Sequence, residues 1–229
     1  MLLPLPESLP IPALRKLRSY VAQAAIPLPK RLQTYNFFHR RPLSDILFPA
    51  FHHSINIDLP LDLMEDAYNR IKDATPLNRM LLLDWKQTLA DNDLRKVNKM
   101  CQLADINVRY PMLDDDLVEL STQIPSSLKL KGTQLRYFYK YAVRNFLPKE
   151  IINKPKQGFG LPFGVWLTTS KSLKEIAYDS LTDFKKRQYL RADFLDWLID
   201  KHRTEHAAFY GAFVWVIMML ELWLKEHEH

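Results

Sequence analysis

The sequence predicts a mainly α-helical fold on three observations. Apolar residues recur at helical spacing, as in Leu61, Met64, Ala67 and Ile71. No run of residues alternates between apolar and polar in the way that a half-buried strand does, and no internal repeat is visible. No glycine precedes Gly132, although the phosphate-cradling loops of nucleotide-binding sheets need glycines at strand-to-helix turns. We therefore expect no nucleotide-binding loop in the first 131 residues.

The composition is that of an ordinary soluble globular protein, with 47% hydrophobic and 25% charged residues among 229. The single cysteine, Cys101, excludes an internal disulfide framework and fits a reducing compartment. The start of the chain lacks a basic segment before its apolar residues and carries early prolines, so we expect no secretory signal and a cytoplasmic location. The longest apolar run, residues 207–220, is shorter than the roughly 18–20 residues of a membrane span, and it predicts a buried helix.

The net charge of +6 is unevenly distributed, and residues 1–55 hold seven lysines and arginines against Glu7 and Asp45. A basic surface can attract nucleic acid. No nucleic-acid-binding motif accompanies the charge, so solvated helix faces or an acidic partner are favoured and nucleic acid is not expected.

The proline distribution predicts the domain organisation. Residues 1–60 carry nine of the 15 prolines, which restrict this segment to short helices and turns packed on the domain. Residues 61–229 form a helical region, and the whole chain is expected to be one domain. Within that region the helical spacing predicts helices over 61–74, 77–89, from a cap at 91–93 to 103, 115–123 capped by Asp114, 133–146, 170–181, 191–202 and 207–225.

A stretch rich in lysine and glycine occupies residues 153–166 and reads NKPKQGFGLPFGVW. Three of the five glycines of the protein lie here, close to Lys154 and Lys156. Exposed backbone N–H groups beside a lysine can bind an anion. The alternative is a surface loop in which Pro155 and Pro162 are ordinary turn residues. A second basic feature, Arg136, Lys140 and Arg144 at helical spacing, is by default a solvated helix face.

The sequence His202-Arg-Thr-Glu205-His206 has the spacing of an inverted zinc-peptidase motif. Such a site needs a further carboxylate ligand downstream on another helix. The 23 residues that follow form an apolar helix in which Glu221 is isolated before the tail. We therefore expect no metal site.

Residues 89–114, LADNDLRKVNKMCQLADINVRYPMLD, resemble the asparagine synthetase family, whose members read there like LxDDxLxKx[DN][RK] followed by EVRVPFLD. Four further blocks continue the resemblance in the family order: LKLKG at 128–132, LPKEII at 147–152, KQGFGLP at 156–162 and MMLELWL at 218–224.

The resemblance implies the helical C-terminal portion of an adenine-nucleotide α-hydrolase-like synthetase domain, of the N-type ATP pyrophosphatase class. Members of the family activate the side-chain carboxylate of aspartate as an acyl-adenylate, with ATP and Mg²⁺, and ammonia derived from glutamine then displaces AMP. Lys156 is the implied catalytic residue, because a lysine near the phosphates stabilises developing negative charge.

The resemblance also implies supporting residues around the nucleotide and substrate. Asn98 and Lys99 match the [DN][RK] pair and are expected to order the loop around the nucleotide site. Arg109 is expected to hold the loop ahead of Asp114 or a substrate carboxylate. The remaining candidates are Arg136, which stands where a lysine is common, and the loop residues Gln157, Gly158 and Gly160.

The sequence departs from the family pattern in ways that affect activity. The SGGxDS loop that binds pyrophosphate and the SGxGADE segment that binds nucleotide and aspartate are absent, and Leu2 stands where the nucleophilic cysteine of a glutaminase domain is usual. Asn107 replaces the usual glutamate beside Arg109, so the substrate can differ from aspartate. We expect the chain to be inactive alone, with ATP and Mg²⁺ bound only after a chain or upstream segment carrying both motifs completes it. A glutaminase is a further candidate partner, and the alternative is a split subunit or a non-catalytic helical interaction module.

Overall fold

The computed structural model describes residues 12–36, 41–155 and 160–228. Within these ranges the chain is built from helices and loops. Two isolated bridges, Leu47 with Leu190 and Lys131 with Gln134, are the only strand-like pairings there. The prediction of a mainly α-helical fold is confirmed.

Thirteen α-helices follow one another in the described part of the chain: α1 Pro12–Ala25, α2 Pro49–Ser54, α3 Leu59–Asn69, α4 Pro76–Leu83, α5 Arg95–Leu103, α6 Asp115–Gln123, α7 Ser126–Lys129, α8 Tyr137–Ala142, α9 Lys149–Asn153, α10 Phe163–Thr169, α11 Lys171–Phe184, α12 Ala192–Thr204 and α13 Ala207–His227. Shorter 3₁₀ turns cover Lys30–Tyr35, Leu43–Asp45, Pro111–Leu113 and Lys185–Arg187. A π-helical stretch, Asp84–Leu94, joins α4 to α5.

The chain divides into two compact units. The first unit contains residues 12–31 and 60–155, and its buried core is the small cluster of Met64, Tyr68 and Leu83. The second unit contains residues 32–36, 41–59 and 160–228, and it holds the larger core. The division into a segment 1–60 and a helical region 61–229 stays a prediction.

Three predicted helix boundaries are wrong. The helix expected over 61–74 ends already at Asn69. The expected cap at residues 91–93 lies inside the π-helical stretch, and Leu83 and Leu94 keep helical dihedral angles at both of its ends. The chain therefore stays helical from α4 through α5 instead of starting a new helix. The helix expected over 133–146 shrinks to α8, because Arg136 adopts a left-handed backbone with φ +57° and Val143 leaves helical geometry with φ −90° and ψ 3°.

Other helix boundaries follow the capping chemistry of the sequence. The Asp114 carboxylate accepts a hydrogen bond of 3.2 Å from the backbone N–H of Asp116 and caps α6 as predicted. The Ser170 hydroxyl accepts one of 3.4 Å from the N–H of Leu173 and starts α11. Polar side chains of this kind satisfy N–H groups that have no partner within the helix.

The second unit is organised around α13, which packs against α10, α11 and α12. One face of α13 is buried through Phe213, Val214, Ile217 and Met218. The opposite face leaves apolar side chains in solvent, and Val216 is 56% exposed. The expectation that this helix lies wholly inside the core is therefore correct for only one face.

By length and composition α13 could cross a membrane. It has 21 residues, and an 18-residue window within it has a mean hydropathy of 1.8 and is 33% buried. This is weak evidence for a membrane span, because the core helix of a soluble protein passes the same test. Glu221 on α13 is 2% exposed and pairs with the Arg187 guanidinium, an interaction that fits a helix packed within a folded unit.

Helices α10 and α13 meet where Gly164 lies against Gly211. A Cβ added to Gly211 would lie 2.2 Å from the Gly164 Cα, and a Cβ added to Gly164 would lie 2.0 Å from the Ala207 carbonyl oxygen. Only glycine permits this approach of the two backbones.

His202 secures the same contact from α12. Its side chain is buried; Nδ1 accepts a hydrogen bond of 2.8 Å from the Tyr178 hydroxyl, and Nε2 donates one of 3.0 Å to the Gly164 carbonyl oxygen. Both ring nitrogens are therefore engaged within the protein. His206 caps α13 by accepting a hydrogen bond of 3.0 Å from the Phe209 N–H, and Glu205 pairs with Lys201. The HxxEH sequence is thus structural, and no group of three metal-ligating side chains occurs in the ranges that the structure covers.

We predict that Gly211→Ala destabilises the second unit by about 1–3 kcal/mol, because the added methyl group forces α10 and α13 apart. An alanine normally favours a helix over glycine, so the sign of the effect identifies the steric cause. The measurement is the urea midpoint followed by circular dichroism. Gly160→Ala is the control, since a Cβ there meets nothing within 4 Å. Equal stability of the Gly211→Ala protein would refute the close contact.

Acid pH should remove a stabilising contribution of Asp183 in α11. Hydrogen bonds from Lys186 and then Lys225 lower the pKa of Asp183 from the ordinary 3.8 to about 2. Because the folded pKa lies below the unfolded value, this carboxylate stabilises the fold above about pH 4 and loses that effect as the pH falls towards 2.

Carboxyl-carbon NMR across pH 1.5–6 should place the Asp183 titration near 2. Lys225→Gln should raise the pKa of Asp183, because it removes one of the two lysine hydrogen bonds. Lys171→Gln is the control, because Lys171 lies on the same helix but is not bonded to Asp183. Its Nζ lies 3.9 Å from a carboxylate oxygen of Glu175. This change should leave the titration of Asp183 unchanged. A titration of Asp183 near 4 in the unmodified protein would contradict the ion pairs.

Candidate functional site

The expected site residues are distributed over both units and beyond the described ranges. Lys156, Gln157 and Gly158 lie outside the described residues. Gly160 belongs to the second unit, where it is exposed. The remaining five belong to the first unit: Asn98, Lys99, Arg109, Asp114 and Arg136.

Asn98 on α5 connects this helix to the extended segment that follows it. Its side-chain oxygen accepts a hydrogen bond of 2.8 Å from the Tyr110 hydroxyl. Lys99, the next residue, donates one of 3.1 Å to the Gln102 side chain on the same helix. The first contact lies across 12 residues, so it fixes how the chain returns after α5. Sequence reasoning missed this contact.

Arg109 and Asp114 lie on the segment that leads into α6. Asp114 is committed to its capping hydrogen bond. The Arg109 side chain is exposed and makes no hydrogen bond or ion pair with the described part of the chain. No hydrogen bond among the described residues supports the expectation that Arg109 holds the loop ahead of Asp114. Both this role and the binding of a substrate carboxylate stay predictions.

Arg136 lines a cavity of about 210 Å³ formed by α8, α9 and the chain on either side of them. Two lysines, Lys140 and Lys154, line the same cavity, and no carboxylate among the described residues does. The left-handed backbone of Arg136 sets it at the start of α8. Sequence reasoning placed Lys140 on a solvated stripe and Lys154 in a stretch that could bind an anion or be a plain surface loop. Helical spacing gave no signal that the two lysines share a cavity.

The other cations near α8 contact aromatic rings. The Arg144 guanidinium lies 3.6 Å from the centre of the Tyr141 ring and donates a hydrogen bond of 2.6 Å to the Tyr141 carbonyl oxygen. Lys131 lies 4.8 Å from the Tyr137 ring centre. A cation over the face of an aromatic ring is attracted electrostatically by the ring. The predicted stripe of Arg136, Lys140 and Arg144 therefore splits between a cavity and an aromatic surface.

The helices around these residues expose an unusual amount of apolar surface. Leu103 is 80% exposed and Phe146 is 85% exposed. Further exposed apolar side chains of the first unit are Val97, Met100, Ile106, Met112, Leu117, Leu120, Leu128, Leu135 and Ile151. Apolar side chains scattered singly on a surface are normal, but a concentration of them marks an interaction surface.

Comparisons with known proteins agree on one family. The model of the asparagine synthase family matches residues 5–225. Asparagine synthetase [glutamine-hydrolyzing] 1 of Bacillus subtilis (strain 168) is 23% identical over 174 residues, which are 75% of this chain and 27% of that protein.

A putative asparagine synthetase [glutamine-hydrolyzing] of Mycobacterium tuberculosis (strain ATCC 25618 / H37Rv) is 24% identical over 148 residues, which are 65% of this chain and 22% of that protein. The chain thus spans about a quarter of the length of these curated relatives. No solved structure is significantly similar to it. Since the family model matches nearly every residue, this chain belongs to the asparagine synthase family.

Proposed function

We propose that this chain supplies the helical C-terminal part of an ATP-dependent, asparagine synthetase-like amidotransferase. The reaction is the activation of the aspartate side-chain carboxylate as an acyl-adenylate, followed by its amination with ammonia from glutamine. The family match over residues 5–225 carries the proposal, and the relatives' names specify glutamine hydrolysis. The proposed location is the cytoplasm, which fits a protein with one cysteine.

In this proposal Lys156 is the catalytic residue. As ATP is attacked, negative charge grows on the α-phosphate and the departing pyrophosphate, and a lysine placed beside them lowers the energy of that transition state. A lysine ammonium suits this task because it is a compact point charge that can follow phosphates as their geometry changes. Arg109 would bind a carboxylate through its two-pronged guanidinium, while Asn98 would keep the preceding loop in place through Tyr110.

The described residues suit the phosphates of ATP better than they suit Mg²⁺. Arg109, Arg136 and Lys140 carry positive charge without ion pairs in the first unit. No cluster of metal-ligating side chains accompanies them in the described ranges. When bound, Mg²⁺ would neutralise phosphate charge, and its ligands would come from ATP and from the completing segment.

We further propose that a segment carrying the SGGxDS and SGxGADE motifs completes the site, on this polypeptide or on another, and that the chain is inactive without it. The exposed apolar side chains on α5, α6 and α9 support this part of the proposal, because a packed partner would remove them from water. The same surface also supports the second candidate function, a non-catalytic interaction module. The two candidates differ in whether Lys156 has a chemical task.

We predict that Lys156→Ala lowers aspartate-dependent adenylation about 100-fold or more, the usual effect of removing a group that stabilises transition-state charge. The substitution is made in the protein's own cells, so that the completing segment is present, and the purified protein is assayed for ATP–pyrophosphate exchange. Circular dichroism should be unchanged, since the role proposed for Lys156 is chemical and not structural.

Lys149→Ala is the matched control, because it removes an exposed lysine at the start of α9. Normal exchange by the Lys156→Ala protein would refute the catalytic role. Absence of aspartate-dependent exchange from the unmodified protein, together with a stable complex with another chain, would favour the interaction module.

A further inference from the structure

We propose that the solvent-facing side of α13 binds a second copy of this chain, with the two α13 helices side by side and antiparallel. The proposal rests on the second unit alone and does not depend on the proposed synthetase function. None of the residues assigned to the synthetase reaction takes part in it.

Helix α13 is apolar on two faces, and only one of them is covered within its own unit. The covered face packs against α10, α11 and α12. A row of exposed apolar residues, called here the exposed seam, runs along the other face: Phe209, Ala212, Val216, Met219 and Trp223. Val216 and Trp223 are both more than half exposed, and the exposed Leu220 and Leu222 widen this face. A helix that is apolar all round is stable only when every side is covered.

The residues of the exposed seam have the spacing of a helix–helix contact. Successive members lie three, four, three and four residues apart. This alternation keeps apolar side chains in line with a second helix that packs alongside. The seam extends about 21 Å along the helix, at a rise of 1.5 Å per residue. Because α13 is already held by its own unit, pairing does not have to order the helix.

The sizes of the seam residues favour an antiparallel pair. In a parallel pair each residue faces its own copy, so two Ala212 side chains would leave a gap and two Trp223 rings would crowd each other. In an antiparallel pair Trp223 faces the partner's Ala212, and Val216 faces the partner's Met219. A large side chain against a small one fills both layers. The Trp223 ring already stacks on the His227 ring with centroids 4.5 Å apart, so pairing has little side-chain freedom to remove.

Charge favours the same orientation. Glu226 lies in the last turn of α13, where the partial negative charge of the helix terminus repels a carboxylate. Its side chain is exposed and forms no hydrogen bond or ion pair within the described part of the chain. An antiparallel pair places each Glu226 beside the positive N-terminal end of the partner's α13. A parallel pair would instead bring two Glu226 carboxylates together.

The polar residues near the two ends of α13 do not suit an anionic lipid surface. A helix that lies on such a membrane carries free lysines and arginines beside its apolar face. Here Lys201 is paired with Glu205, and Lys225 with Asp183 at 2.6 Å, while Glu226 adds negative charge. A second copy offers the same apolar seam in return, and a two-fold pair is closed after two chains.

Sedimentation equilibrium of the full chain at micromolar concentrations tests the pairing. We expect a mass of twice the 27.0 kDa of one chain. Val216→Glu should return the protein to one chain, because it would bury a carboxylate against the partner's Met219. Circular dichroism should be unchanged, since residue 216 is exposed in the single chain. Ile176→Glu is the matched control, because Ile176 is 49% exposed on α11 and lies outside the seam; this protein should still pair.

Disulfide cross-linking tests the direction of the pair. In a Cys101→Ser background, an equal mixture of Ala212→Cys and Trp223→Cys proteins should form the mixed disulfide under mild oxidation. The Ala212→Cys protein alone should form little, because the antiparallel pair holds the two copies of residue 212 far apart.

Three results would each overturn the proposal: a single-chain mass for the unmodified protein, a Val216→Glu protein that pairs as well as Ile176→Glu, or faster disulfide formation by Ala212→Cys alone than in the mixture. Cosedimentation of a single-chain species with phosphatidylglycerol vesicles would assign the face to lipid instead. None of these measurements involves ATP or aspartate, so they stand apart from the test of Lys156.

Discussion

The helices of the first unit carry more apolar side chain than they bury, and this constraint governs the rest of the structure. Their buried cluster is Met64, Tyr68 and Leu83, whereas Leu103 and Phe146 remain almost fully in water. The burial of apolar surface is the main favourable term in folding, so these helices gain stability from any surface that covers them. Asn98, Arg109 and the other candidate residues of this unit lie on or beside the same helices. Cover for the apolar surface would therefore also order the site.

In the second unit, which is also helical, the buried polar side chains find their hydrogen-bond partners within the unit. The Gly164 and Gly211 backbones touch, and His202 fills the space beside them with both nitrogens bonded. Glu221 is buried, but Arg187 forms hydrogen bonds with both of its oxygens, one of them 3.3 Å long. Buried polar groups with complete sets of partners fix one arrangement of the helices, because any shift would leave a donor or a charge unpaired.

The sequence predicted what depends on local chemistry. Capping by Asp114, the helices near α11 and α12, and the family all followed from short patterns. The misjudged features depend on contacts far along the chain. The cap expected at 91–93 failed because the chain continues as a π helix over Asp84–Leu94 and stays helical. The prediction that α13 lies wholly in the core failed because periodicity cannot tell how many neighbours a helix has. Within the site, the contact of Asn98 with Tyr110 and the shared cavity of Lys140 and Lys154 arise from chain reversal, which helical spacing does not encode.

Positive charge in the first unit accumulates towards the end of its sequence. Arg136, Lys140 and Lys154 precede Lys156 closely in the chain, and none of the three has an acidic partner among the described residues. Charges of one sign on a low-dielectric surface raise the local concentration of anions before any one contact forms. The described residues that line the cavity all lie in the first unit. In the proposed function, adenylation would also need the serine–glycine motifs, which this sequence lacks.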